Sequence, residues 1–169
     1  SCWPENRTKA VYAYPHVLRD FYRRNLGRIV GTFINGETDH WPRQHVSLYC
    51  WMKLLWNPDF DVDAAMDAYC VNMYGPSAKA MRELLDLQIT GWEKSRWPGG
   101  KLSPKSVYSI SYPPQTIERM QRLLEQAIHQ AKEDPMVLAR LDYYARPFAD
   151  FFRESKGSDK TMTLQKVGQ

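Results

Sequence analysis

Little in this sequence supports a covalent or metal-bound framework. Its three cysteines, Cys2, Cys50 and Cys70, are an odd number with no CxxC spacing, so neither a disulfide lattice nor a zinc knuckle is expected. Long apolar runs are missing too: nothing approaches the roughly 18 consecutive apolar residues of a membrane span, and no membrane insertion is expected. The four histidines, His16, His40, His45 and His129, lack HExxH spacing, and glycine-rich phosphate loops and GxSxG are absent. Metal centres, nucleotide binding and acyl transfer therefore lose their usual signatures, and no cofactor is expected. Charge of one sign is also scarce. Against a net charge of +4, six basic residues fall within residues 1–28, and the remaining 17 basic side chains balance 17 acidic ones. A nucleic-acid groove needs a wider basic stripe, so no nucleic-acid partner is expected. Arg19, Arg23, Arg24 and Arg28 read as the solvated face of one helix.

What is present is an ordinary globular mixture, 43% hydrophobic and 25% charged in 169 residues, enough for one main core. Aromatic residues reach 13%, with six Trp and ten Tyr, which fits either a large aromatic core or flat faces for sugar rings and partner proteins. The chain opens on Ser without a charged-then-apolar leader, the expectation being a processed form or a piece of something longer.

Residues 10–14 are β-branched or aromatic, or Ala, and stop at Pro15, which predicts a short strand. Val17, Leu18, Phe21 and Tyr22 then recur at helical spacing until Gly27. Residues 28–34 form a second run of strand length. Pro42 suits the first turn of a helix over about 42–56 that is apolar nearly all round and so expected to be buried on most sides. Asp61 suits the cap of the next helix, which carries Val62, Ala65, Met66, Tyr69, Cys70 and Met73; Gly75-Pro76 separates it from a third, with Ala80, Met81, Leu84, Leu85, Ile89 and Trp92. Asp59, Asp61 and Asp63 mimic the start of an EF-hand loop, but Ala64 replaces its glycine and Cys70 its last carboxylate, so capping is the better account and no metal is expected. Cys50 and Cys70 read as buried free thiols.

Four prolines and two glycines make residues 96–114 an irregular connector, with a short strand over 107–110. Two helices follow, broken at Asp134-Pro135, the second carrying Val137, Leu141, Tyr144 and Phe148; they predict an antiparallel hairpin. Lys156 to Gln169 is polar and aperiodic, a tail ordered only when docked.

A strand, helix, strand, helix order suits a parallel crossover, yet two parallel strands cannot protect their edges in water. Their partners must lie upstream in a longer chain or on another molecule. Gly31-Thr32-Phe33 with Gly36-Glu37, Leu54-Leu55-Trp56-Asn57-Pro58-Asp59-Phe60-Asp61-Val62-Asp63 and Tyr74-Gly75-Pro76-Ser77-Ala78 resemble a bacterial family of domains without an assigned activity. That family occurs in proteins similar to α-glucuronidases and β-N-acetylhexosaminidases, at the end of a (β/α)8 barrel and in the helices after it. The resemblance covers about residues 8–92.

It implies a mainly α fold of about six helices with two short parallel strands, the remnant of a (β/α)8 barrel plus a C-terminal helical hairpin. Residues 1–95 would end the barrel, 96–112 connect, 113–156 form the hairpin on the same core, and 157–169 the tail. In such a barrel ligands meet the loops after strand C-termini. Tyr14, His16, Glu37, Asp39, His40 and Trp41 lie on those two loops and are the candidate glycan-binding residues: the carboxylates and imidazoles can bond sugar hydroxyls, and Trp41 can stack on a pyranose. Two carboxylates two residues apart do not flank a scissile bond, and in the β-hexosaminidase-like relatives the catalytic acid lies on an earlier strand. No catalytic residue and no hydrolysis by the isolated chain are expected.

The reading is a C-terminal portion of a carbohydrate-active, glycoside-hydrolase-like bacterial protein, periplasmic or extracellular by family context. Its partners would be a glycan or oligosaccharide and the upstream barrel portion, and its unpaired strands would allow self-association. The alternative is a helical protein-interaction module anchored by Tyr144 or Phe148.

Overall fold

The computed structural model describes Val11 and residues 13–33, 41–94 and 107–166. Among them lie six α-helices: α1 (Pro15–Arg24), α2 (Trp41–Trp56), α3 (Val62–Tyr74), α4 (Ala78–Glu93), α5 (Pro114–Gln130) and α6 (Pro135–Lys166). A 3-10 turn, Gly75–Ser77, links α3 to α4, and a π-helical turn, Val107–Ser111, precedes α5.

Local chemistry sets the helix ends. Pro15, Pro114 and Pro135 stand at helix starts, where the missing N–H is no loss. The Asp61 carboxylate accepts from the Ala64 amide (3.0 Å), and Asp134 accepts from the amides of Met136 (3.1 Å) and Val137 (3.0 Å). Gly75 ends α3 at φ +44°, a conformation that side chains resist. The apolar spacing then sets the buried faces: Val46, Cys50 and Leu54 on α2, Val62, Met66 and Cys70 on α3, Met81, Leu84 and Leu85 on α4. On α6, Val137, Leu141, Tyr144, Phe148 and Phe151 alternate steps of four and three, one continuous buried stripe. These stripes meet in a single core. Helix α4 packs on α3 and α5, α1 on α2, and α6 on α5, α2 and α3.

Several expectations need correction. No strand occurs among the described residues. Val11, Ala13 and Tyr14 are extended neither beside nor against another strand; Val11 is buried and its carbonyl accepts from the Tyr112 hydroxyl (3.1 Å). Residues 25–28 turn and 29–33 run open, with Val30 and Phe33 exposed. The apolar pattern of a strand is present, but a strand needs a neighbour to take its N–H and C=O groups, and no described segment supplies one. The segment 107–110 is a π-helical turn rather than a strand, because Tyr108 and Tyr112 both turn onto Phe151 (ring centroids 5.6 and 5.3 Å).

Helix α2 is less enclosed than its composition suggested. Met52, Leu55 and Trp56 are exposed, Trp56 at 93%. Leu54 keeps the C-terminal turn of α2 in the core, while Met52, Leu55 and Trp56 face away from it. The backbone of α6 stays helical to Lys166, past the expected end of the hairpin. It also contains Pro147, which has no N–H, so the Tyr143 carbonyl loses its intrahelical donor.

Candidate functional site

Of the six residues expected to meet a glycan, Tyr14 and His16 fall within the described residues. Glu37, Asp39 and His40 lie outside them, and Trp41 opens α2 with its side chain also outside. Tyr14 precedes α1 and its amide donates to the Ser47 hydroxyl on α2 (3.1 Å), with Ser47 fully buried. His16, in the first turn of α1, is held between two carboxylates. Its Nδ1 lies 2.9 Å from Glu93 at the end of α4, and its Nε2 3.2 Å from Asp63 on α3.

Glu93 does more than face the imidazole. Its other oxygen accepts from the amides of His16 (2.9 Å) and Val17 (3.2 Å), satisfying two donors that the first turn of α1 leaves open. Asp63 in turn accepts from Arg82 (3.2 Å), whose guanidinium also reaches Asp67 (2.6 Å) and Asp86. Partial burial works against the Arg82 charge, and the Asp67 and Asp86 carboxylates outweigh it, holding the guanidinium above its usual value. With both ring nitrogens facing carboxylates, His16 joins α1, α3 and α4 and offers no free nitrogen to a sugar or a metal. No cluster of metal-ligating side chains occurs among the described residues. The basic face of α1 is solvated as read: Arg19 pairs with Asp20 (2.9 Å) and Arg23 with Asp59 (3.6 Å).

Two of the concave features among the described residues lie elsewhere. The first is a cup of about 380 Å³ between α2, α3 and α6. Four of its lining rings form a closed cycle: His45 to Tyr69 (5.8 Å), Tyr69 to Tyr74 (6.1 Å), Tyr74 to Tyr144 (6.0 Å) and Tyr144 back to His45 (5.2 Å, perpendicular). Tyr144 anchors the cycle by donating to the buried Gln88 side chain (2.6 Å). Burial pushes Tyr69 up to about 12, and Tyr74 and Tyr144 still higher. All three phenols are neutral at ordinary pH. Sequence reading had placed Tyr69 and Tyr144 on apolar stripes, but nothing in it brought residues 45, 69, 74 and 144 to one point. The high tyrosine content was the only trace.

The second is a smaller cleft of about 310 Å³ where the segment after α1 meets the end of α2, lined by Leu26, Ile29, Val30, Leu54 and Leu55 among others. Met52 and Trp56 lie within a turn of Leu55 on α2, and Phe33 three residues beyond Val30; all are exposed. Tyr144 and Phe148, expected as surface anchors for a partner, are instead 3% and 1% exposed. Cys50 and Cys70 are buried free thiols, each pushed up to about 12 chiefly by desolvation.

Comparison with protein-family models, with curated proteins and with solved structures gives no match for this chain. No described helix is long and apolar enough to cross a membrane.

Proposed function

We propose that this chain is the helical C-terminal portion of a carbohydrate-active, glycoside-hydrolase-like bacterial protein working in the periplasm or outside the cell. In that role it braces the upstream barrel and lends one wall to a glycan site, with no hydrolysis of its own. The observation that carries the reading is the uncovered apolar strip of Leu26, Val30, Phe33, Met52, Leu55 and Trp56. Exposed apolar side chains scattered singly need no explanation, but Leu26, Val30 and Leu55 line one cleft where a β-patterned segment meets a helix end, and the exposed Met52, Trp56 and Phe33 follow or precede them within a few residues, which supports a surface that something covers. The strand-like residues 28–33 belong to an apolar run of the length that an upstream sheet edge would pair, and no described segment pairs them. Residues 37–41 follow this segment directly, which would put the proposed sugar contacts beside the covering partner.

A helical protein-interaction module without enzymatic activity is the second reading, and the same strip favours it if the covering surface belongs to a separate protein. Trp56 and Phe33 then take the anchoring part once expected of Tyr144 and Phe148.

The intact mass of the product of the native gene, measured in cell extract, tests the first reading. A mass several times the 19.8 kDa of this chain supports it, and the full-length protein should then bind glycans in a manner lost on Trp41→Ala. A mass near 19.8 kDa overturns it and leaves the interaction module.

A further inference from the structure

The cup between α2, α3 and α6 shares no lining residue with the apolar cleft at the end of α2. Its floor is the cycle of His45, Tyr69, Tyr74 and Tyr144, whose edges and faces point at one another in tilted and perpendicular pairs. Tyr74 and Tyr144 form the buried base of this floor, at 2% and 3% exposure, and the half-buried His45 and Tyr69 above them offer a planar guest the tilted and perpendicular contacts that aromatic rings prefer. At the rim stand Met73 and the exposed Met136, unbranched thioethers that adapt their shape to a ring. The volume of about 380 Å³ is near the lower end of small-molecule sites, roughly 300–1,000 Å³, and suits a single ring with a short substituent.

The charge at the rim defines the substituent. Arg140 lines the cup from α6, and one of its terminal nitrogens donates to the carbonyls of Asn72 and Met73 (both 3.2 Å), which pins the guanidinium across the end of α3. The other terminal nitrogen lies 3.1 Å from the Met136 sulfur. Among the described residues no carboxylate comes within ion-pair distance of Arg140, whereas Arg82, Arg119, Arg146 and Arg153 each have one. A guanidinium has five N–H donors, so the pinned group still has N–H capacity for a bidentate acceptor. Being held already, it loses little freedom when that acceptor arrives.

We propose that this cup binds a small planar aromatic carboxylate, its ring seated on the four-ring floor and its carboxylate on Arg140.

The test is a titration of the whole chain with phenylacetate and, separately, with its neutral amide phenylacetamide, followed by amide resonances in two-dimensional NMR. Phenylacetate should shift resonances of residues 72–74 and 136–144 saturably, and phenylacetamide should bind at least about tenfold more weakly, a difference of about 1.4 kcal/mol. Arg140→Gln should remove that discrimination by weakening phenylacetate alone. Ala139→Trp, at an exposed position on the rim that can change without disturbing the core, should abolish both. Equal affinity for acid and amide would overturn the role of Arg140. Absence of saturable shifts up to about 10 mM phenylacetate would overturn the site, as would binding undiminished in Ala139→Trp.

Discussion

Gly91 lies so close to Tyr112 that a Cβ on it would stand 2.5 Å from the ring's Cε1 and 2.7 Å from the Ser111 carbonyl oxygen. Tyr112 is fully buried, and its single hydroxyl proton is shared between the carbonyls of Val11 (3.1 Å) and Gln88 (3.2 Å), which holds the ring in place. In an exposed helix, alanine would be favoured over glycine by about 1 kcal/mol. Here overpacking should win, and Gly91→Ala should destabilise the protein by about 1–3 kcal/mol. Thermal denaturation should show a fall in Tm of roughly 2–4 °C for each kcal/mol. An unchanged or higher Tm would mean that α4 does not press on the π-helical turn.

Tyr144→Phe removes one hydroxyl and leaves the Gln88 side-chain oxygen, in a residue 3% exposed, without that donor. The cost expected from an unsatisfied buried acceptor is about 1–3 kcal/mol in urea denaturation. Restoring stability by adding Gln88→Leu to Tyr144→Phe would show that the loss comes from the orphaned oxygen and not from the ring.

His16 and Glu93 are 77 residues apart in sequence and 2.9 Å apart in space. A double-mutant cycle of His16→Ala with Glu93→Gln should give a coupling energy of about 0.5–3 kcal/mol, as groups in one network do. Each single variant should lower Tm, since Glu93 also closes the open amides of α1. Additive effects would show that the imidazole contributes nothing to the junction.

Alkaline pH should act through the buried thiols and Tyr69. Cys50 and Cys70 stand near 12 in the folded chain against 9.0 ordinarily, and Tyr69 near 12 against 10.0. In this window the unfolded chain has released these protons and the folded one has not, so rising pH favours unfolding. Their stabilising contribution is complete below pH 9 and is lost between about pH 9 and 12. The loss is at most about 1.4 kcal/mol per pH unit for each group. Urea midpoints measured from pH 8 to 11 should fall steadily, and alkylation mapped by mass spectrometry at pH 8 should leave Cys50 and Cys70 unmodified until urea is added.

Replacing Trp56 and Phe33 by serine alters side chains that are 93% and 87% exposed. Stability should stay within about 0.5 kcal/mol of the parent, as it does for surface changes. Self-association, followed by light scattering, should decrease. A large fall in Tm would instead place these residues in the core of the isolated chain.

The parts of the molecule set by neighbours in sequence were legible before any coordinates. Asp61 and the Asp134-Pro135 break mark helix starts, Gly75 lies at a helix end, and the apolar stripes of α3, α4 and α6 show their buried sides, whereas α1 stops at Arg24, before the expected Gly27. The hydrogen bonds of a helix close within four residues, so its limits and its apolar side are properties of a short stretch of chain. The strand-patterned residues 28–33 show the opposite case: an apolar run of that length becomes a strand only when another strand lies beside it, and among the described residues none does. Likewise the composition of α2 suggested enclosure on most sides, and only the positions of the other helices left Trp56 outside. The ring cycle of His45, Tyr69, Tyr74 and Tyr144 and the carboxylates around His16 were decided by the tertiary structure, because their members come from separate helices. Periodicity tells which side of each helix is apolar, but it does not tell which neighbour that side will meet.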